Sequence, residues 1–351
     1  MSKTILWWGR YNSGYSRNRI VQRNLAELGW ECVDFRPPIS PFGDVFAYFG
    51  KFPKLAAVWV PNFRQRDCYA AIRFANFRGL PLIFDPLISS YDKRVFEHQK
   101  YSEESIRAHL LKRWESGMFK SAALALADTD AHGRFFVDKL AADPLRVFSV
   151  PVGAEEELFF PQPFQEKSKE AIEVLFYGSF VPLQGADVIV KAAKLVPEVK
   201  WTLLGSGKLR PECEKLAAGC DNIFFEDRVA YESLAQRIGE ADILLGVFGE
   251  TPKARRVIPN KFYQSIACAR PVITMDGLAY SDDAREAAGA GVAWVPPGDP
   301  AALAATVREW SARPDFLSAR GRDARSLYET CYSEQKVKAA LSRALKSIQL
   351  V

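Results

Sequence analysis

The stretch GVFGETPKARRVIPNKFYQSIACARPVI, residues 246–273, combines more chemistry in one loop and one helix than any other part of the chain. A strand is expected to end near residue 245, and the glycines and prolines that follow it predict a loop. Pro259 and Asn260 suit the start of a helix, which is predicted to run to about residue 268. Four cations lie in the loop or at the helix start: Lys253, Arg255, Arg256 and Lys261. Because backbone N–H groups at a helix start attract anions, the stretch predicts a phosphate site, with a solvated basic loop as the alternative.

Short apolar runs alternate with helical patterns on both sides of this stretch, which predicts parallel sheets in an α/β fold. Two Rossmann-like, doubly wound domains are expected, with a Pro-rich linker over residues 151–170. The predicted boundaries are residues 1–160, residues 161–330 and a C-terminal helix over 331–351 that returns to the first domain. In such folds a ligand binds at the carboxyl ends of the strands. Strands are predicted at residues 4–8, 32–35, 57–60, 81–84, 146–150, 173–177, 201–204, 223–225, 243–245, 271–274 and 292–295.

Composition indicates an ordinary globular protein, with 48% hydrophobic and 25% charged residues, and a cytoplasmic location is expected. The six cysteines are scattered and do not cluster with the three histidines, so neither disulfides nor a structural metal site is predicted. Residues 1–120 hold 19 Lys and Arg against 11 Asp and Glu. This surplus suits an anionic membrane surface or an anionic acceptor, whereas no nucleic-acid module is apparent.

Two glycine loops follow strands of the predicted second domain. In YGSFVPLQG, Gly178 would let a ligand approach the backbone and Ser179 would hydrogen-bond to it. In LGSGKLR, Gly205, Gly207 and Lys208 repeat the arrangement. Each loop alone is as well explained by a tight turn. A third loop, FEDRVAYESLA, has Arg228 and Val229 after a strand and is predicted to present backbone groups to a nucleobase; the alternative is that Asp227 is only a turn residue.

The second domain resembles the GT-B-fold glycosyltransferases of the family-four type, in which the two domains face a central cleft. The resemblance rests on YGSFVPLQGADVIVKAAKLVPEVKWTLLGSGKLR, FEDRVAYESLAQRIGEADILLGVF and VIPNKFYQSIACARPVIT, and more weakly on VFSVPVGAEEELFFP. It implies transfer of a sugar from a nucleotide donor, with retention of configuration and without a bound metal. It also implies that the donor lies on the second domain and the acceptor on the first.

The chain departs from the family pattern at four positions. Where the first glycine loop of the family often carries Arg and Lys, this chain has Ser179 and Gln184. The paired glutamates of the family fall on Arg256 and Gln264. Gln264 retains hydrogen-bonding capacity toward ribose hydroxyls, and Arg256 suits a phosphate.

Charge on the leaving diphosphate must therefore be stabilised from the opening stretch. Lys253, Arg256 and Lys261 are the candidate cations, together with the helix start at Asn260. Glu250 is the nearest carboxylate that could contact the sugar, although a solvent-exposed loop acid is an equal interpretation.

In the predicted first domain, GRYNSGYSRN brings Gly14, Arg17 and Asn18 to a strand exit, where the family places acceptor or phosphate contacts. Asp85, directly after the strand that ends at residue 84, is the candidate for orienting an acceptor hydroxyl, with turn or helix capping as the alternative. In a retaining reaction the leaving phosphate can take the acceptor proton, so no strong separate base is required.

The sequence thus predicts a metal-independent glycosyltransferase whose partners are a nucleotide-sugar donor, a saccharide or lipid-linked acceptor and an anionic surface at the inner face of the plasma membrane. No cofactor is expected, and the nucleotide is not determined. A catalytically silent nucleotide-sugar-binding or scaffold protein is the alternative, because the glutamate pair is missing. A sugar-nucleotide epimerase of the same fold matches the second-domain loops less well.

Overall fold

The computed structural model describes residues 3–164 and 172–350. The chain divides into two compact units, an N-terminal unit within Met1–Val152 and Glu334–Val351 and a C-terminal unit within Gly153–Ser333. The predicted linker over residues 151–170 extends into residues 165–171, which lie outside the described residues. Within the described ranges, no helix is both long and apolar enough to cross a membrane.

The N-terminal unit is built on a six-stranded parallel sheet with the order β2-β1-β3-β4-β5-β6. Its strands are β1 (Thr4–Trp8), β2 (Glu31–Phe35), β3 (Ala57–Val60), β4 (Leu82–Phe84), β5 (Leu124–Ala127) and β6 (Val147–Ser149). Its helices over the same part of the chain are α1 (Ser16–Glu27), α2 (Gly43–Tyr48), α3 (Gln65–Arg78), α4 (Ser90–Asp92), α5 (Ile106–Ser121) and α6 (Asp130–Leu140). The four strands β1, β3, β4 and β5 are buried along their whole length, as expected of a sheet covered on both faces.

The C-terminal unit holds a second six-stranded parallel sheet with the order β12-β11-β10-β7-β8-β9. Its strands are β7 (Glu173–Ser179), β8 (Lys200–Ser206), β9 (Ile223–Glu226), β10 (Ile243–Leu245), β11 (Val272–Met275) and β12 (Val292–Val295). Its helices are α7 (Ala186–Leu195), α8 (Arg210–Leu216), α9 (Leu234–Glu240), α10 (Asn260–Ala267), α11 (Asp282–Ala288), α12 (Pro300–Ser311) and α13 (Leu317–Leu327). Side chains cap several helices, as at Ser281 before α11 and Asp299 before α12.

The last helix, α14 (Glu334–Ser347), belongs to the N-terminal unit and packs against α1. Its apolar side chains Val337, Leu341 and Leu345 are buried in one cluster with Ile20 of α1 and Ile5 of β1. The Lys338 ammonium also donates to Glu27 Oε2 at 2.6 Å. The N-terminal core is therefore completed by a segment from the far end of the chain.

Both sheets have a point at which the strand order reverses, and in open α/β sheets ligands bind there. In the C-terminal unit the reversal falls between β7 and β10. The strand β7 ends with Gly178 and Ser179, and the loop after it carries Gln184; the loop after β10 is the cationic stretch of residues 246–259. The two loops singled out from the sequence thus flank the reversal, and the expected pair of doubly wound α/β domains is confirmed.

The close packing of β7 on β8 rests on glycine at the ends of both strands. Gly178 pairs in register with Gly205, and a Cβ at Gly205 would lie 1.9 Å from the Gly178 carbonyl oxygen. Gly205 also has a φ of +135°, which L side chains rarely adopt. Glycine at position 205 is therefore required by the packing of the protein itself.

We predict that Gly205→Ala lowers the free energy of unfolding of the C-terminal unit. The positive φ at position 205 should cost about 1–2 kcal/mol with an alanine side chain. The clash of the new Cβ with the Gly178 carbonyl oxygen should cost about 1–3 kcal/mol more. Gly219 is the matched control, because its φ of +80° is also positive but its added Cβ meets no atom within 4 Å. Urea unfolding of both variants measures the difference. Equal losses for Gly205→Ala and Gly219→Ala would contradict the packing argument.

Candidate functional site

Lys261 lies at the centre of the candidate site in the C-terminal unit. Its side chain leaves the first turn of α10, is 5% exposed, and its Nζ lies 2.5 Å from Gln184 Oε1. The same Nζ lies 3.5 Å from the ring centroid of Phe176 in β7. Burial lowers the pKa of the Lys261 ammonium well below its ordinary value. An anion that arrived here would stabilise the charged form of the amine.

Gly178 makes room for this lysine. A Cβ at position 178 would lie 2.9 Å from Lys261 Nζ and 3.2 Å from Lys261 Cε. At Gly207 an added Cβ would instead lie 2.6 Å from the backbone nitrogen and oxygen of Phe180. An added Cβ at either of these two predicted ligand-binding glycines would therefore meet protein atoms. At Gly178 those atoms belong to Lys261, which is itself a predicted site residue.

The start of α10 adds backbone N–H groups to the site. Pro259, whose side chain has no hydrogen-bonding atom, occupies the N-cap position, and the helix begins at Asn260 as predicted. Four N–H groups at a helix start have no partner within the helix and carry its positive dipole end. Lys261 belongs to the same first turn of α10 as these groups.

Other predicted cations differ in their exposure. Lys253 is 1% exposed and Arg256 is half-buried, both in the loop between β10 and α10. Lys208 and Arg228 are exposed in the loops after β8 and β9. All four follow the carboxyl ends of strands in the sheet of the C-terminal unit.

Gln264 is held by two tyrosines that the sequence reasoning did not identify. Tyr177 Oη lies 3.3 Å from Gln264 Oε1 and 2.9 Å from the Lys261 carbonyl oxygen. Gln264 Nε2 donates to Tyr231 Oη at 3.3 Å, and that hydroxyl donates to Glu155 Oε2 at 2.7 Å. These bonds fix the last turns of α10 against β7, and they leave one amide N–H and one oxygen lone pair of Gln264 for other partners. The one sequence signal was the position of Tyr177 immediately before Gly178.

Glu250, in the loop after β10, and Ser179, the last residue of β7, are exposed, as is Arg255 in the same loop as Glu250. Glu250 lies against the backbone of Gly298, where an added Cβ would come within 2.4 Å of its carboxyl carbon. Its carboxylate is thus open to solvent and supported by the loop after β12. Among residues 3–164 and 172–350, no group of three or more His, Cys, Asp or Glu side chains could hold a metal ion.

In the N-terminal unit, Asp85 is buried in an ion pair with Arg17. Arg17 Nε and Nη2 each lie 3.1 Å from one carboxylate oxygen, and both side chains are at most 2% exposed. Arg17 Nη1 donates to the carbonyl oxygens of Val150 and Pro151, at 2.6 and 3.0 Å. Asp85, predicted from its place after β4 to orient an acceptor hydroxyl, is therefore buried rather than open to solvent, and that role stays a prediction. Arg17 ties α1 to the residues that follow β4 and β6.

Comparison with known proteins agrees with this architecture. Residues 171–312 match the model of the family described as Glycosyl transferases group 1. The chain is 29% identical over 241 residues to a D-inositol 3-phosphate glycosyltransferase of Kineococcus radiotolerans, covering 59% of this chain and 53% of that protein. It is 28% identical over 230 residues to the protein of the same name from Geodermatophilus obscurus, covering 59% and 50%. The chain thus spans about half the length of the curated relatives it matches.

Solved structures match over nearly the whole chain. Sucrose-phosphate synthase from Thermosynechococcus elongatus gives a TM-score of 0.74 at 16% identity, with 99% of both chains covered. HepE of Anabaena in complex with UDP gives a TM-score of 0.72 at 13% identity, with 98% of this chain and 100% of that chain covered. The two parallel sheets and these neighbours define a GT-B fold. The GT-B fold expected from the resemblance is thus confirmed, and residues 171–312 are similar to the glycosyl transferases group 1 family.

We predict that Arg17→Ala lowers the free energy of unfolding of the N-terminal unit at neutral pH by about 3–5 kcal/mol, because it leaves the Asp85 carboxylate buried and unpaired. Burial already raises the pKa of Asp85 against the opposing effect of Arg17. Because the pKa of Asp85 is raised in the folded state, protonation of its carboxyl group favours folding. The loss of stability in Arg17→Ala should therefore shrink as the pH falls through that pKa. Unfolding curves of the variant and the wild type at several pH values measure this. A deficit that stays constant with pH would contradict it.

Proposed function

We propose that this protein is a glycosyltransferase that moves a sugar from a nucleotide-sugar donor to a saccharide or lipid-linked acceptor. The observation that carries the proposal is Lys261, buried at the helix start beside the strand-order reversal of the unit that matches the glycosyl transferases group 1 family. A fold alone does not define an activity, so the chemistry must come from this site.

The donor diphosphate would bind where the N-terminus of α10 and the Lys261 amine converge. A phosphate oxygen would replace Gln184 Oε1 as the partner of Lys261 Nζ, and the backbone N–H groups at Asn260 and Lys261 would donate to the same group. As the bond to the sugar breaks, negative charge grows on the leaving diphosphate. Preorganised donors of this kind stabilise such charge without reorganising water.

Further donor contacts are assigned by position in the same loops. Lys253, Arg256 and Lys208 would add positive potential around the diphosphate, and Gln264, fixed by Tyr177 and Tyr231, would use its remaining donor or acceptor on a ribose hydroxyl. The exposed carboxylate of Glu250 would accept from sugar hydroxyls, and Arg228 would lie beside the nucleobase. The acceptor would bind on the N-terminal unit.

The reaction is proposed to retain the anomeric configuration and to need no metal ion. The leaving phosphate would take the proton of the acceptor hydroxyl on the face from which it departs, so no separate strong base is required. This mechanism suits a chain in which Asp85 is committed to Arg17. The anomeric configuration of the product, read by NMR coupling constants, distinguishes retention from inversion.

Uridine diphosphate is the first nucleotide to test. HepE of Anabaena has been solved with UDP, with UDP and glucose, and with UDP-glucose, and the pneumococcal O-GlcNAc transferase GtfA with UDP and GlcNAc. These ligands were found in those proteins, and they suggest which nucleotides to screen first with this one. Thermal shifts with UDP, GDP, ADP and CMP would rank the nucleotides, because a ligand that binds the folded state raises its apparent stability.

We predict that Lys261→Ala abolishes donor hydrolysis and sugar transfer while the protein stays folded, because the variant removes a cation that the leaving group needs. The matched control is Lys215→Ala, an exposed lysine in the last turn of α8. Activity is measured over a panel of nucleotide sugars, and folding by circular dichroism. Normal turnover by Lys261→Ala would remove this residue from the site.

The wild-type protein in the same assay separates the proposed enzyme from a silent homologue. Turnover of one donor supports the transferase. Tight nucleotide binding without turnover of any donor would favour a catalytically silent binding protein, and inertness toward every donor and nucleotide would contradict both.

We also predict that diphosphate binding takes up a proton at Lys261. Burial lowers the pKa of the free amine, and a bound diphosphate raises it again, so affinity should fall as the pH rises between the two values. Calorimetric titrations with UDP above about pH 8, where phosphates are fully ionised, isolate this effect. Buffers of different ionisation enthalpy give the number of protons taken up. Uptake that persists in Lys261→Ala would assign the proton to another group.

A further inference from the structure

The N-terminal unit exposes a dense apolar surface around the short helix α2. Its members are the exposed large hydrophobic residues of segment 39–49 together with one residue of α3: Ile39, Phe42, Val45, Phe46, Tyr48, Phe49 and Phe77. Phe49 is 87% exposed and Phe77 is 71% exposed. Scattered surface hydrophobics are normal, but a contiguous group of this size marks an interaction site. We call these seven residues the α2 surface.

The α2 surface is held in place by the opposite side of the helix. Gly43, Asp44 and Ala47 are buried, and a Cβ at Gly43 would lie 2.9 Å from the Trp8 side chain. Arg73 of α3 binds both oxygens of Asp44, with Nε and Nη2 at 2.6 and 2.8 Å. The α2 helix is therefore fixed to the unit, and its aromatic side is turned outward by the packing.

An aromatic contact joins the two parts of the surface. The Tyr48 and Phe77 rings lie edge to face with centroids 4.9 Å apart. Phe77 is in the last turn of α3, so the surface continues from α2 onto the neighbouring helix. Two elements thus present their apolar side chains together.

Positive charge flanks this surface along the chain. Lys51 and Lys54 follow the segment and Arg78 follows Phe77, and all three are exposed. Arg36, which precedes the segment, is also exposed and pairs with Asp34 at 3.0 Å. Asp44 is the single acidic residue between positions 36 and 54, and its charge is already bound by Arg73. The segment therefore carries a net positive charge. Its basic residues account for part of the excess of Lys and Arg over Asp and Glu in residues 1–120.

We propose that the α2 surface docks the protein onto an anionic lipid bilayer. Phenylalanine and tyrosine insert at the boundary between headgroups and acyl chains, and the flanking Lys and Arg residues meet anionic headgroups. Aromatic residues flanked by cations suit an anionic lipid surface, because the cations bind the headgroups. An apolar protein partner would make no use of these cations. The inference does not depend on sugar transfer, since vesicle binding is measured without donor or acceptor.

The test is co-sedimentation with vesicles of phosphatidylcholine alone and with an added fraction of phosphatidylglycerol. The wild type is expected to bind the anionic vesicles. The double variant Phe42→Ser/Phe49→Ser should lose at least about tenfold in partitioning, because fully burying a phenylalanine favours binding by more than the energy of a tenfold change. The double variant Lys51→Glu/Lys54→Glu should lose at least about tenfold on anionic vesicles, because each basic residue near the surface contributes to the attraction.

The matched control is Phe224→Ser/Phe316→Ser, two phenylalanines of the C-terminal unit that are 46% and 43% exposed. This control should bind vesicles like the wild type, and circular dichroism should show that all variants are folded. The proposal is overturned if the wild type fails to bind anionic vesicles, or if the control loses as much as Phe42→Ser/Phe49→Ser. Self-association that depends on Phe42 and Phe49, without vesicle binding, would also overturn it and assign the surface to a protein interface.

Discussion

The approach of the Lys261 side chain to the backbone of Gly178 is the constraint on which the C-terminal site depends. An ammonium group loses its hydration when it is buried, and such groups shift their pKa or find a partner. Here the partner is a neutral amide oxygen of Gln184 and an aromatic face of Phe176. Burial lowers the pKa of the Lys261 ammonium, and an anion bound beside it would raise that pKa again. The glycine at 178 is what leaves space for that arrangement.

This constraint supports the proposed diphosphate site in a chain that departs from the pattern of the glycosyltransferases it resembles. The first glycine loop has Ser179 and Gln184 at the positions where the resemblance leads us to expect cations. In the structure the end of the Gln184 side chain meets the end of the Lys261 side chain, so positions 184 and 261 serve the same point in space. We propose that Lys261, from the start of α10, supplies the cation that position 184 lacks. Arg256 and Gln264, which replace the paired glutamates, lie on the same segment, and Gln264 is fixed by two tyrosines.

Much of the fold could be predicted from the sequence, because it depends on local patterns. Buried parallel strands give short apolar runs, and the predicted strands agree with the observed ones to within a few residues. The start of α10 was predicted to within one residue, because Pro259 and Asn260 are strong local signals. The helix α2 was missed, since its six residues are too few for a period and its outer side is apolar.

The site was less predictable, because it depends on contacts between distant segments. No local pattern reveals that Asp85 meets Arg17, 68 positions away, or that Tyr177 meets Gln264, 87 positions away. The glycines show the same limit. Gly178, Gly205 and Gly207 were predicted from a ligand's approach, whereas the structure shows that neighbouring protein atoms already require them.

The most direct test of the account is to exchange the side chains of positions 184 and 261 and to measure the affinity for UDP by calorimetry. The single variant Lys261→Gln should bind UDP about tenfold to a hundredfold more weakly than the wild type, as expected for a lost hydrogen bond to a charged group. The double variant Gln184→Lys/Lys261→Gln returns a cation to the same point and should recover most of that loss. A double variant that binds UDP as weakly as Lys261→Gln, while remaining folded, would contradict the claim that the two positions serve one phosphate site.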